Sequence, residues 1–330
     1  MELPEFCVDY FRGIEPTTAE RTRLGYARDL KIFFQFLVEY DPRLSKKTIH
    51  EITLEDLNQV TAQMIEMFLD YLSYYSQPGE DEERQNGERG KARKISAVRS
   101  LFKYFYKKER LSSNPAQLVS TPKIHEKNII RLDTDEIARM LDAVDSGEKL
   151  TARQQQYHEH TRVRDLALVT LLLGTGMRVS ECVGLDLTDV DFSNNALRII
   201  RKGGNQTILY FGTEVEEVLR EYLEVRRREE ALPGHENALF LSMQKKRLGV
   251  RAVENLVKKY ARTVTQLKNI SPHKLRSSYG TELYNTTGDI YLVADVLGHK
   301  DVNTTRKHYA QIEENRRRSA ANAIHLRKDD

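Results

Sequence analysis

Leu30, Phe33, Phe34 and Leu37 recur at three- and four-residue spacing in YARDLKIFFQFLVEY, an apolar stripe along one helix that Asp41-Pro42 ends. A second helical pattern follows ITLEDL and runs through VTAQMIEMFLDYLSYY. The third, KARKISAVRSLFKYFYKKER, sets Ile95, Val98, Leu101, Phe102 and Phe105 on one side, with Arg93, Lys94, Arg99, Lys103 and Lys107 on the other. Between the second and third lies SQPGEDEERQNGERG, whose polar, Gly- and Pro-bearing composition reads as a loop. LVSTPKIHEKN has proline, charge and no periodicity, as an interdomain linker does. The pattern therefore predicts an all-helical domain over 1–117, a linker over 118–128 centred near Lys123, and a second domain over 129–330.

The second domain is mixed. Helices are expected at DTDEIARMLDAV, RVRDLALVTLLLGTG and the short RVSECVGL, with Gly174 to Gly176 supplying the freedom for a sharp reversal. ALRIIRKGGNQTILYFG alternates on both sides of Gly203-Gly204 and predicts a β-hairpin with Lys202 at or beside its tip. Thr213 and Glu216 have the spacing of a capping box ahead of the helix EVEEVLREYLEVRRREE. Further helices fit LGVRAVENLVKKYARTV, HKLRSSYGTELYN and IYLVADVLG. The fold class is mainly α with a small β-sheet in the second domain.

Composition adds boundaries. The chain has 330 residues, of which 31% are charged and 39% hydrophobic, values of a globular protein that buries its own cores. No apolar run is long enough to span a bilayer, and MELPEFCVDYFRG lacks the basic start and apolar middle of a signal peptide, so the cytoplasm is the expected location. Cys7 and Cys182 are far apart, and Cys182 falls in an apolar-periodic segment that predicts a buried reduced thiol. Net charge is only +3, but between Arg84 and Arg110 ten Lys and Arg stand against two Glu, and the C-terminal segment carries ENRRRSAANAIHLRK. Such blocks suit phosphate contacts, and equally a solvated helix face.

Several residues have the chemistry for a phosphate reaction. Ser271-Pro272 reads as a helix start, which puts His273 and Arg276 on one face of the first turn, where free N–H groups suit an anion and the local field favours a neutral imidazole. The same pair also suits a packing histidine and a surface arginine. Arg178 should open the helix after the Gly-rich turn, with Glu181 three residues on to hold it, in an anion clamp or a structural ion pair. Lys202 has the reach to carry a proton to a leaving oxygen, and His299 follows Gly298 at a helix end where a capping role is the alternative. Tyr309 lies among Thr304, Thr305, Arg306, Lys307 and His308, where an aromatic ring adds little to a core. A phenol, with a pKa of about 10, becomes a nucleophile when a base takes its proton and cations stabilise the oxyanion. There is no P-loop pattern, and GTGMRV fails the dinucleotide Gly pattern.

In the order GMRVSE, RKGGN, SPHKLR, VLGHKDVNTT and HYAQI, the chain resembles the tyrosine recombinases, or phage-type integrases, in their Xer-like branch. The front part, with KARKISAVRSLFKYFYKKERLSSNPA, is similar to that family's core-binding domain, which grips DNA opposite the catalytic domain. The resemblance implies that Arg178 and Arg276 clamp the scissile phosphate, Lys202 protonates the 5′ oxygen, His273 serves the tyrosine as acid and base, and His299 adds a hydrogen bond. It implies Tyr309 as the nucleophile of a 3′-phosphotyrosyl link, Glu181 as support for Arg178, and no metal ion or other cofactor. The partners it implies are a double-stranded recombination site, a tetramer of the chain on DNA with EENRRRSAANAIHLRKDD handed to a neighbour, and an accessory or partner recombinase; no membrane is involved. Chromosome-dimer resolution, element integration or excision, and inversion all share this chemistry.

Two departures stand out. In much of the family the tyrosine comes one residue sooner, where His308 stands, and a one-residue shift turns a helical side chain by about 100°. SQPGEDEERQNGERG and DSGEKLTARQQQYHEHTRV also look longer than the corresponding loops. From the basic stripe of KARKISAVRSLFKYFYKKER, Lys94, Arg99 and Lys103 are the expected DNA contacts. One rival is a metal-dependent nuclease using Asp186, Asp189 and Asp191 with YHEH or the later histidines; another is a DNA-binding protein without catalysis.

Overall fold

The computed structural model describes residues 3–75, 85–123, 130–201, 204–299, 301, 302 and 305. The chain divides into two compact units, with the division between Lys127 and Asn128. The regular structure described in the first is helical: α1 (Cys7–Ile14), α2 (Glu20–Tyr40), α3 (Leu54–Asn58), α4 (Ala62–Tyr71) and α5 (Glu88–Lys107). Helix α2 ends where Asp41 leaves helical geometry, one residue before Pro42. The stripes read from the sequence meet here, with Leu30, Phe33 and Leu37 of α2 packed with Phe68 of α4 and with Ile95, Leu101, Phe102 and Phe105 of α5. Val119 belongs to this core too, so the packing of the first unit runs past residue 117, where the sequence places the linker to begin.

The second unit begins its regular structure with α6 (Thr134–Ser146), started by a capping box in which Asp133 and Glu136 exchange hydrogen bonds. Helix α7 (Ala152–Thr175) follows and is buried almost all round from Ala167 to Leu173. It starts well before the apolar run. DSGEKLTARQQQYHEHTRV, expected as a long loop, supplies the first three turns of α7. Thr151 and Gln154 form a capping box there, and of residues 152–157 all but the half-buried Gln154 are exposed, so no apolar period marks this end of the helix.

Around α7 pack α6, the short α8 (Val179–Gly184), α9 (Thr213–Arg226) and α11 (Pro272–Thr287), with α10 (Val250–Val264) against α6 and α11. The sheet is antiparallel in the order β1 (Val190–Asp191), β2 (Ala196–Ile200), β3 (Gln206–Tyr210). Its register pairs Leu197 with Leu209 and Ile199 with Thr207, which turns Leu197, Ile199 and Leu209 into the core and Arg198, Ile200, Ile208 and Tyr210 outward. The hairpin is thus the one read from the alternation, extended by a two-residue strand. Thr213 is the first residue of α9 rather than its cap, and Glu216 bonds Arg220 and Asn195 instead of closing a capping box. Helix α12 (Ile290–Leu297) rests on α11 through Tyr284, Val293 and Leu297. Cys182 is buried in the core of this unit with its thiol pushed up to about 12 by loss of solvation, so it stays protonated at neutral pH.

Candidate active site

The C-terminal end of α12 organises the site. An α-helix leaves its last carbonyls without intrahelical partners and its end partly negative, so it draws donors and cations. Here three arginines meet four consecutive carbonyls. Arg201 Nη1 donates to Asp295 O at 3.2 Å and its Nη2 to Val296 O at 2.9 Å. Arg276 Nη2 donates to Leu297 O, and Arg178 Nη2 to Gly298 O at 3.2 Å. Gly298 is left-handed (φ +61°) and its N–H returns to α12, which turns the chain sharply into His299.

Each arginine is delivered by a separate local feature. Gly176 (φ +61°) ends α7, and a Cβ there would overlap the ring of Tyr279. Two residues later Arg178 is the N-cap residue of α8. Glu181, only 4% exposed, accepts from the Arg178 backbone N–H and from its Nη1, both at 2.8 Å. The helix-opening arginine held by a glutamate three residues on is as the sequence predicts. Arg276 comes from the first turns of α11, where Ser271 occupies the cap position without a side-chain cap bond and Pro272 is the first helical residue. It is buried, not a surface residue, and its Nη1 donates to Gly176 O at 2.7 Å. His273, one turn earlier on α11, is exposed. His299 Nδ1 shares a hydrogen bond of 2.7 Å with Oγ1 of the fully buried Thr305.

Arg178 and Arg276, about a hundred residues apart in sequence, thus end on adjacent carbonyls beside His299. Two guanidiniums on one turn, Arg178 held by the Glu181 carboxylate, form a forked donor set for an oxyanion. Lys202 and Tyr309 lie outside the described residues. Arg201 was missed from sequence: nothing in ALRIIRKGG separates an arginine facing a helix end from one facing water.

The expected nuclease ligands are dispersed. Asp186 pairs with Arg247, Asp189 with Arg198, and Asp191 accepts from Ser193 and Asn194 in its own turn. His158 of YHEH is buried on α7 with Nε2 2.8 Å from Val144 O. Among the described residues no three His, Cys, Asp or Glu side chains gather.

On α5, the basic stripe divides. Lys94 is buried, its Nζ donating to Asn86 Oδ1 at 2.8 Å, 5.9 Å from the centre of the Tyr75 ring. This corrects the expectation that it faces outward, because the stripe is wide enough for its flank to tuck under residues preceding the helix. Arg93 pairs with the buried Asp29, and Arg99 donates to Ala116 O, Val119 O and Thr121 Oγ1, tying down the segment after the helix. Lys103 and Lys107 remain exposed.

Residues 130–316 match the model of the phage integrase family. The chain is 31% identical over 326 residues to tyrosine recombinase XerC of Caldanaerobacter subterraneus subsp. tengcongensis, covering 97% of this chain and 85% of that protein. Its fold is similar to XerH site-specific recombinase bound to palindromic difH substrate (TM-score 0.68, 22% identity, 91% of this chain and 78% of that one). It is also similar to a lambda integrase tetramer bound to a Holliday junction (TM-score 0.63, 14% identity, 92% and 76%). The chain belongs to the phage integrase family, the tyrosine recombinases that cleave and rejoin DNA.

Proposed function

We propose that this chain is a site-specific DNA recombinase in which Arg178 and Arg276 hold the non-bridging oxygens of the scissile phosphate and Tyr309 is the nucleophile. The convergence of Arg178 and Arg276 on the turn that leads into His299 carries this reading. His273 takes the phenolic proton, the tyrosine oxygen bonds to phosphorus, and the bond to the 5′ oxygen breaks. Lys202 protonates that oxygen as it leaves, and a 3′-phosphotyrosyl link remains. His299 adds a hydrogen bond to the phosphate, and Glu181 keeps Arg178 aimed. The link conserves the energy of the broken phosphodiester, so attack by the 5′ hydroxyl of a second strand rejoins DNA without ATP or a metal ion.

The wider assembly follows from the same reading: a tetramer on two duplexes in the cytoplasm, with an accessory or partner recombinase in some settings, serving chromosome-dimer resolution or the movement of a mobile element. Support comes from the DNA-bound relatives and from a chain with no helix, among the described residues, long and apolar enough to cross a membrane. The test is a nicked duplex from which the cleaved 5′ fragment diffuses away, incubated in EDTA and run on a denaturing gel. Wild type is expected to give a covalent protein–DNA band and Tyr309→Phe none. A band from Tyr309→Phe, or none from wild type on DNA it binds, overturns the assignment.

A further inference from the structure

Among the described residues, Arg201 is the arginine at the α12 end that the proposed chemistry leaves without a role. Its backbone closes the β2–β3 hairpin: its N–H donates to Asn205 O at 2.8 Å, and Gly204 N–H donates to Arg201 O at 3.0 Å. Its side chain crosses to α12 and donates to the carbonyls of Asp295 and Val296. A Cβ built on Gly298 would overlap this guanidinium, so the left-handed turn before His299 is shaped around it. Among the described residues, the buried Arg201 Nε has no hydrogen-bond partner, although an unsatisfied buried donor costs about 1–3 kcal/mol. A merely solvated turn residue would leave that N–H in water.

We propose that Arg201 is a positioning residue that fastens the hairpin tip to the end of α12 and so sets where Lys202, the next residue in the chain, presents its ammonium to the leaving 5′ oxygen. The inference rests on the reading of Lys202 as the proton donor. Two charge-assisted bonds to a packed helix fix the end of β2 against α12. Arg201 thereby ties the hairpin to the same row of carbonyls that Arg178 and Arg276 meet.

Sulfur in place of the bridging 5′ oxygen gives a direct test, because a thiolate leaves without being protonated. The phosphorus–sulfur bond breaks, the sulfur keeps the electron pair, and no acid is needed. Single-turnover cleavage would be measured on the nicked duplex and on its 5′-bridging phosphorothioate counterpart. Lys202→Ala should lose about 10²- to 10⁴-fold on ordinary DNA and recover on the sulfur substrate. Arg201→Ala should lose roughly tenfold or more on ordinary DNA and come within about threefold of wild type on the sulfur substrate, with Arg201→Lys intermediate on the first and normal on the second. If Lys202→Ala recovers and the Arg201 variants do not, or if they cleave ordinary DNA normally, the inference is wrong while the acid assignment stands. If Lys202→Ala fails to recover, the acid assignment falls and the inference with it. Should Arg201→Ala not fold, Arg201→Lys alone decides between these outcomes.

Discussion

Glu181 shows how much of this site depends on single atoms. One carboxylate holds both the backbone N–H and the guanidinium of Arg178, so α8 starts and Arg178 is oriented by the same group. Glu181→Ala strands both donors. A charge-assisted hydrogen bond is worth about 1.5–3 kcal/mol, which predicts a loss of roughly ten- to a hundredfold in cleavage rate with Tyr309 untouched. Glu181→Gln keeps an acceptor for one of the two donors and should fall between it and wild type in single-turnover assays. Equal rates for all three would remove Glu181 from the machinery. Legibility was uneven at this scale. The Arg178 to Glu181 spacing and the buried Cys182 were readable because both follow from local helical periodicity. The burial of Lys94 was not, since it depends on Asn86 and Tyr75, which approach it from outside its own helix.

Among the elements, the turn after α12 matters most. Gly298 is needed twice, for its positive φ and for the space the Arg201 guanidinium takes up. Gly234 also has positive φ (+84°) but nothing lies within 4 Å of a Cβ added there. Gly234→Ala should therefore cost about 1–2 kcal/mol of backbone strain, a few degrees in Tm, with cleavage intact. Gly298→Ala should lower Tm further and also slow cleavage, because it displaces Arg201 and the start of His299. A Gly298→Ala enzyme that cleaves as fast as the Gly234→Ala control would show that this turn does not shape the site. Of the elements themselves, α2, α5, α6 and the hairpin were legible from apolar period and caps. The first turns of α7 were not, because polar residues on an exposed helix carry no period.

Over the whole molecule, the small net charge conceals an uneven distribution, and DNA affinity should depend on the exposed part of it. Lys103→Ala should leave stability unchanged and reduce the salt slope of DNA binding by about 0.9, the loss of one phosphate contact. Lys94→Ala should do the reverse, costing the first unit about 1–3 kcal/mol in thermal unfolding with no change in slope. A slope change from Lys94 and none from Lys103 would reverse these roles. The amino-acid sequence alone determined the two-part plan, the helical and hairpin segments and the ordered set of reactive residue types. Each of these follows from spacing within a few residues or from the order of short motifs. Tertiary structure decided which cations face water, which lock a loop, and that Arg178, Arg201 and Arg276 converge on carbonyls 295–298. The open end of one helix selects those three arginines from residues nearly a hundred positions apart, and no local pattern records that meeting.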